Sequence, residues 1–512
     1  MKILTADEIR RVEEEENATG IRFFDLMERA GTACADRIRS ICPDSSRGAV
    51  IVAGSGKNGG DGFVIARKLR EAGYPCGVIL AMGMPKAADA INNFGTVNRL
   101  GISILNYEDN PTQAQAMIRG ADIVVDAVFG IGFHGPAQGA LPEIFRAISD
   151  SEGTVFAIDV PSGVDTDTGA VLGEAVYADY TFAISCLKPA HAFYPARENC
   201  GISIVLDIGI SEHAFSAASP TLVSLSQSDV TELLPERTRT SHKNDYGHVL
   251  SICGSMCMPG AACMCANAAI RSGAGLVTAA FPQRAYPAIS SHLTEGMMVP
   301  LPDTPAGMVH VQSINLLRHY MERATTIVMG CGLGQSQDVR TVVLDVLQNA
   351  GRRPIVLDAD GLNAVAGNTG VLDNLEGEVV VTPHPGEMSR LMNIPVQDIL
   401  QDRIGAAHRF ADEHRVTVLL KGPDTVIATY DNPVTIVNRT GNQGLAKGGS
   451  GDTLAGIIAA LLAQGMPPFQ AAATGAYLHG YAADFAAKTL SLRAMTATDL
   501  ITALPFALKD FE

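Results

Sequence analysis

Short apolar runs bounded by glycine recur through the first half of the chain: Ala49–Ala53, Cys76–Leu80, Ile102–Leu105, Ile123–Ala127, Val155–Asp159 and Tyr180–Ile184. Runs of this length and composition read as short buried strands. Stretches with helical spacing, such as Phe63–Ala72 and Ala87–Leu100, lie between them. Met1–Ser40 is also helical in pattern, with Ile9 and Val12 and then Phe23, Leu26 and Met27 on one stripe. The alternation predicts a doubly wound parallel sheet with helices on both faces and ligand chemistry at the carboxyl ends of the strands. Ile210–Ser228 breaks the rhythm with alanine, serine and proline, which places a domain junction there. A second α/β series starts at Val249–Cys253 and continues through Ile327–Met329, Ile355–Leu357, Val379–Val381, Val416–Leu420 and Val426–Ala428. No internal repeat relates the halves.

Composition sharpens this picture in three ways. At 512 residues the chain exceeds what one hydrophobic core serves, which agrees with two domains. The 38 basic against 54 acidic residues give −16, which argues against nucleic acid or an anionic membrane as partner. Phosphate on a local nest of backbone amides remains compatible with that charge. Cys253, Cys257, Cys263 and Cys265 lie close together, but without a Cys-x-x-Cys pair or nearby histidines. They read as small buried hydrophobes rather than zinc ligands, and reduced thiols suggest the cytosol. With an acidic Glu13–Glu16 and no long apolar run, the expectation is a soluble cytoplasmic protein.

The chemistry concentrates in glycine-rich turns. Asn442–Asp452 carries four glycines and runs into the apolar stretch Thr453–Ala463. Its glycines free N–H groups for an anion, the following helix points its positive end there, and Asp452 closes the loop. Gly54, Gly56 and Gly59 match a dinucleotide fingerprint, but the second strand ends Leu80-Ala81-Met82-Gly83, without the acid that holds ribose. Ordinary NAD binding is therefore not expected, although the nest can take a phosphate. Asp126–Gly132 and Asp159–Gly163 add acids and glycines at two further strand ends. Lys188, after the next strand, reads equally as a solvated lysine or a proton carrier.

Asn58-Gly59-Gly60-Asp61-Gly62, Asp126–Gly132 and Asp159–Gly163 resemble the epimerase domain of the NAD(P)H-hydrate repair family, over residues 1–215. The resemblance implies that Lys57, Asn58, Gly59, Gly60 and Asp61, with Gly130, Ile131, Gly132, Phe133, His134, Gly135 and Pro136, hold the hydrated nicotinamide nucleotide. It makes Asp159 the catalytic contact to the reacting ring. Asn58, Asp126 and Ser162 would bind potassium, a hard cation on oxygen ligands. The family usually has two asparagines where this chain has Lys57-Asn58, which implies an altered ligand contact.

Residues 225–508 are similar to the dehydratase domain of the same family, a relative of ribokinase-like kinases. The matching stretches are Ser241–Gly247, Gly254-Ser255, Gly260–Ala262, Gly330–Gly334, Asp358–Asn363, Thr382–Met388, Lys421–Thr425 and the loop to Asp452. By that resemblance Lys421, Gly422, Pro423, Asp424, Thr425 and Gly451 bind an adenine nucleotide, while Ala261, Gly332, His384 and Asp452 line the hydrate pocket. The substrate hydroxyl, a poor leaving group, would be phosphorylated and expelled as phosphate. Asp452 would draw its proton while the loop amides stabilise the moving phosphoryl group. Lys447 is a further possible phosphate contact.

The resemblance therefore implies a Rossmann-like domain fused to a ribokinase-like domain, acting in nicotinamide nucleotide repair. One domain would interconvert the epimers of hydrated NADH or NADPH, and the other would dehydrate the S form at the expense of ADP or ATP. K+ would serve the first site and Mg2+ the second. Separately, helix-rich edges and an ample apolar fraction suit a homo-oligomer. The competing reading is a ribokinase-like small-molecule kinase fused to a non-catalytic interaction module.

Overall fold

A computed structural model describes residues 1–373 and 375–512. Contacts divide the chain into two compact units, Met1–Leu222 and Val223–Glu512.

The first unit is built on a parallel sheet of β1 (Ala49–Ala53), β2 (Cys76–Leu80), β3 (Ser103–Asn106), β4 (Ile123–Ala127), β5 (Thr154–Ile158), β6 (Tyr180–Ile184) and β7 (Ile202–Leu206). Their spatial order is β3-β2-β1-β4-β5-β6-β7. Strand order reverses between β1 and β4, paired Val52↔Asp126 and Ala53↔Ala127, so the loops leaving these strands diverge and open a crevice. Both faces are buried. In β1, Ile51 and Ala53 join one apolar cluster while Val50 and Val52 join another, which is why the run shows no polar alternation.

The helix Ala6–Ala18 starts with a capping box, Thr5 with Glu8, and buries Ile9 and Val12. The helix Lys57–Glu71 starts differently. Its N-cap, Gly56, supplies no side chain, so no cap hydrogen bond forms. It also begins six residues before the expected Phe63. Of the fingerprint glycines, Gly54 precedes the helix, Gly56 caps it and Gly59 is in its first turn, where it lies against the Gly54 carbonyl with no room for a Cβ.

The second unit contains β8 (His248–Ile252), β9 (Leu276–Pro282), β10 (Met297–Leu301), β11 (Thr326–Met329), β12 (Ile355–Leu357), β13 (Val379–Val381), β14 (Thr417–Leu420), β15 (Val426–Thr429) and β16 (Asn432–Val437). They lie in the order β16-β15-β14-β13-β12-β11-β8-β9-β10. Pairing is parallel from β14 through β10 and antiparallel in β14/β15 and β15/β16. Parallel neighbours end on the same edge, so Gly330, Asp358, Thr382 and Lys421, each just past its strand, meet there. The helix Ser450–Ala463 packs along β8, β11 and β12 and delivers its first turn to that edge.

The expected strands form, several with ends moved by one residue. Four of these strands escape the pattern. β7 and β10 are edges with exposed positions, β16 contains Pro433, and β9 is alanine-rich and ends in proline. Each lacks the uninterrupted branched run that marks a central strand.

Candidate active sites

In the first unit a cavity of about 510 Å³ opens at the switch point, lined among others by Glu13, Lys57, Asn58, Asp61, Gly130, Ile131, Gly132, Asp159 and Lys188. Asp159 lies one residue past β5, not in it, and adopts φ 68°. Left-handed backbone on a non-glycine residue costs about 1 kcal/mol or more and persists only where neighbours enforce it. The neighbours are on hand. Buried His191 accepts the Lys188 N–H at Nδ1 (2.8 Å), so its Nε2 carries the proton and donates to the Asp159 carbonyl (2.8 Å). The buried Lys188 ammonium ion-pairs with Asp159 Oδ1 and also donates to the Ile184 and Cys186 carbonyls, at 2.7 and 3.2 Å. Burial works against its charge, but Asp159, Cys186 and Glu13 outweigh that and hold Lys188 above the ordinary lysine range. Of its two sequence readings, solvated lysine is therefore excluded.

Burial, with Asp159 and Glu13 nearby, pushes Asp61 well above the usual carboxylate range. Burial also raises Glu13, against the pull of Lys57, whose ammonium lies 3.7 Å from it and 4.6 Å from the Phe23 ring centroid. Lys57 thus turns toward the helix Ala6–Ala18, within the cavity lining. Gly130 faces Asn58 and Asp159 closely. A Cβ there would sit 3.3 Å from Asn58 Oδ1 and 3.4 Å from Asp159 Oδ2.

Beneath this wall Asp126 is fully buried and accepts from Ser162 Oγ (2.6 Å), Ser162 N (2.8 Å) and Val128 N (3.2 Å). Burial lifts it to about 6 despite the Ser162 bonds. Asn58 Nδ2 is buried without a partner. The amide flip is interchangeable in shape, and the opposite flip turns its oxygen to that unfilled position. Asn58, Asp126 and Ser162 therefore offer oxygens of the type a hard monovalent cation takes.

The remaining sequence candidates are elsewhere. Gly59 and Gly60 are buried as packing positions, Gly60 against the Met27 side chain. Phe133 packs on Phe129, and exposed His134 pairs with Asp165 at 3.1 Å. Gly135 and Pro136 follow it, outside the cavity lining. Glu13, read in the sequence only as part of an acidic run, is an addition to the site.

In the second unit the N-cap of the helix Ser450–Ala463 is Gly449 at φ 96°, with no side-chain cap; the Ser450 N–H makes one long bond to the Lys447 carbonyl (3.5 Å), and the positive end of the helix faces the site. A Cβ on Gly451 would come 3.4 Å from Lys421 Nζ and 3.6 Å from Asp358 Oδ2. Lys421 lies 2.8 Å from Asp358 Oδ1 and 3.8 Å from Glu387 Oε2. Burial lowers the affinity of Lys421 for its proton, but these acids more than restore it. Thr382 Oγ1 donates to the same Asp358 oxygen (2.8 Å). Asp452, in the helix's first turn, is raised to about 7 by burial and by Asp358 and Cys253, against a Cys331 hydrogen bond and Lys421. Nearby His479 is buried, stays neutral at about 4, and contacts the Ser450 carbonyl at 2.9 Å.

His384 caps the helix Pro385–Met392. Its Nδ1 accepts the Gly386 and Glu387 N–H groups at 3.0 and 3.3 Å, leaving Nε2 as the donor on an exposed ring. Ala261 and Gly332 meet each other, since a Cβ on Gly332 would lie 2.7 Å from Ala261 Cβ. Gly422 and Pro423 are exposed, Thr425 closes a turn onto the Gly422 carbonyl (2.9 Å), and Asp424 is buried against Arg403. Lys447 donates to the Arg493 carbonyl (2.7 Å). Asp358 and Glu387 carry charge into the site without a role expected from sequence; Asp358 is marked by its position directly after a parallel strand, and Glu387 by its place in the capping box that opens the helix Pro385–Met392.

A family model described as YjeF-related protein N-terminus matches residues 24–190, and one described as NAD(P)H-hydrate dehydratase matches residues 249–506. The chain is 38% identical over 492 residues to the bifunctional NAD(P)H-hydrate repair enzyme Nnr of Moorella thermoacetica, covering 95% of this chain and 92% of that one. It is 33% identical to the enzyme of the same name from Escherichia coli, over 98% of this chain and 92% of that one. The second unit is similar to the solved ADP/ATP-dependent NAD(P)H-hydrate dehydratase of Bacillus subtilis co-crystallised with ATP and Mg2+: 34% identity, TM-score 0.51, covering 57% of this chain and 99% of that one. A ribokinase-like superfamily protein from Enterococcus faecalis aligns over 57% of this chain and 96% of its own, at 29% identity and TM-score 0.50. With both halves matched and full-length relatives above 30% identity, this chain belongs to the family of bifunctional NAD(P)H-hydrate repair enzymes.

Proposed function

We propose that the chain restores hydrated NADH and NADPH at two sites, epimerising the hydrate in the first unit and dehydrating its S form in the second with ADP or ATP. The observation that carries the reading is Asp452, a carboxylate near neutrality in the first turn of a helix whose leading amides are uncapped. Phosphoryl transfer needs a base for the attacking hydroxyl and fixed dipoles for the transferred group. Asp452 takes the hydroxyl proton, the oxygen attacks the terminal phosphorus, and ADP or ATP leaves as AMP or ADP. Phosphate then departs from the hydrated carbon, and loss of a ring proton restores the double bond. Lys421, fixed by Asp358 and Glu387, and the backbone of Gly422, Pro423, Asp424, Thr425 and Gly451 serve the nucleotide; Ala261, Gly332 and His384 Nε2 face the hydrate. Mg2+ would accompany the nucleotide and offset the charge of its phosphates.

Epimerisation inverts one carbon, so a bond there breaks and re-forms on the opposite face. Asp159 is the group that handles the proton, held rigid by Lys188 and His191. Asn58, Asp126 and Ser162 would hold K+, which would supply positive charge to the site.

The test mixes protein, K+ and Mg2+ with both NADH hydrate epimers and adds ADP or ATP in parallel. Return of the reduced nicotinamide absorbance from the whole pool, with free phosphate released, is the expected result. Recovery that stops once the S epimer is consumed removes the epimerase assignment. A stable phosphorylated product in place of free phosphate favours a small-molecule kinase.

A further inference from the structure

Three cysteines that are scattered in sequence meet beneath the second site. Cys253 follows β8, Cys265 lies in the helix Pro259–Arg271, and Cys331 belongs to the glycine turn after β11. Their sulfurs lie within 4.8 Å of one another, and all three side chains are fully buried. Cys253, Cys263 and Cys265 are buried as expected, and Cys331, far along the chain, joins two of them. Cys257, read with them as buried, is exposed.

Buried cysteine usually packs as a small hydrophobe. Cys34 and Cys42 fit that description and join no such group among the described residues. The triad differs in having polar company. Ser251 Oγ donates to Cys265 Sγ at 3.7 Å, and Cys331 Sγ is 3.8 Å from Asp358 Oδ2. Cys331, Asp358 and Asp452 form a second convergent group that shares a member with the first. A zinc–sulfur bond of ~2.3 Å puts three sulfurs around a planar ion ~4 Å apart, which the observed spacing accommodates. Soft sulfur donors select zinc or cadmium and discriminate against Mg2+.

We propose that Cys253, Cys265 and Cys331 form a three-sulfur site for a thiophilic divalent cation of the zinc and cadmium class, whose binding switches off the adjoining dehydration site. Each bound thiol loses its proton to solvent. Three thiolates and one dication carry a net charge of −1, close to the Lys421–Asp358 pair. Cys331, drawn onto the ion, no longer donates to Asp358 Oδ2, on the carboxylate that also holds Lys421. The switching half rests on the dehydratase reading; the binding half does not.

The experiment uses full-length protein carrying Cys257→Ser, reduced and stripped by chelator, and titrates it with cadmium. One equivalent should generate the cadmium–thiolate charge-transfer absorption and release protons, and Cys265→Ala and Cys331→Ala should each abolish saturation at one equivalent. Because a buried alanine can loosen the fold, cadmium NMR on the chain with the triad intact counts sulfurs independently. A shift typical of three sulfurs supports the site, whereas one typical of oxygens with a single sulfur assigns the ion to Cys331, Asp358 and Asp452 and overturns it. Absence of absorption at one equivalent also overturns it. Dehydration should fall at least tenfold with one equivalent and return with chelator while epimerisation stays constant. In a preparation whose dehydratase activity is confirmed beforehand, binding with unchanged dehydration refutes the switch.

Discussion

Replacing Asp452 by asparagine should make the protein more stable and less active at once. Burial and the Asp358 carboxylate raise Asp452 from 3.8 to about 7. A raised carboxylate binds its proton more tightly in the folded than in the unfolded state, so it adds least to instability in acid. Its contribution is fully present below the unfolded value near pH 4 and is lost as pH climbs through 7. Three units at ~1.4 kcal/mol each give an upper limit of ~4 kcal/mol, and the partial exposure of Asp452 reduces this to ~2 kcal/mol. Asparagine keeps the shape and removes the charge. At ~2 °C per kcal/mol for a unit of this size, the second unit's Tm should rise by ~4 °C at pH 8 and by nearly nothing at pH 3.5. Dehydration should drop 10²- to 10⁴-fold, the range for losing a general base, while epimerisation is unchanged. Calorimetry across pH paired with the hydrate assay makes the comparison. A Tm that falls at pH 8, or a gain equally large at pH 3.5, would refute the electrostatic account. Undiminished dehydration would refute the assignment of Asp452 as base.

The same acid sets a pH profile: kcat/KM for dehydration should rise tenfold per unit toward pH 7 and level above it. Asp358→Asn removes a like charge and should move that midpoint downward, measured over pH 5.5 to 9. Lys188→Met should leave Asp159 unpaired in a largely buried site, lowering first-unit stability by ~3–5 kcal/mol in denaturant titrations and suppressing epimerisation. Two glycines should behave oppositely. Gly59→Ala places a Cβ on the Gly54 carbonyl and should unfold the first unit at ordinary temperature. Gly130→Ala meets only side-chain atoms of Asn58 and Asp159 at 3.3 and 3.4 Å, so Tm should hold within about 2 °C while epimerisation falls.

How much was legible in the chain follows from what each element buries. Central strands such as Ala49–Ala53 and Ile355–Leu357 are covered on both faces, so their residues are apolar without interruption and stand out. Edge strands carry solvent on one side and tolerate proline, as in Met297–Leu301, and their pattern dissolves. Site legibility obeys a related rule. Asp452 and the Gly54–Gly62 turn are visible because helix ends that bind anions replace the usual capping side chain with glycine, whereas the helices at Ala6 and Pro385 keep theirs. That substitution is local in sequence. The partners that tune the acids are not. Lys188 reaches Asp159 across 29 residues, Lys421 reaches Asp358 across 63, and Glu13 joins from a helix before the sheet begins. Their convergence depends on which parallel strands are neighbours, and strand order is set by packing of the whole sheet rather than by any one segment. The thiol triad is the extreme case. Cys253 and Cys265 look like unremarkable core residues until β8 and β11 pair side by side and bring Cys331 between them and the two acids. A sequence shows which ends of elements are built for ligands, and the sheet order decides which charges those ends will meet.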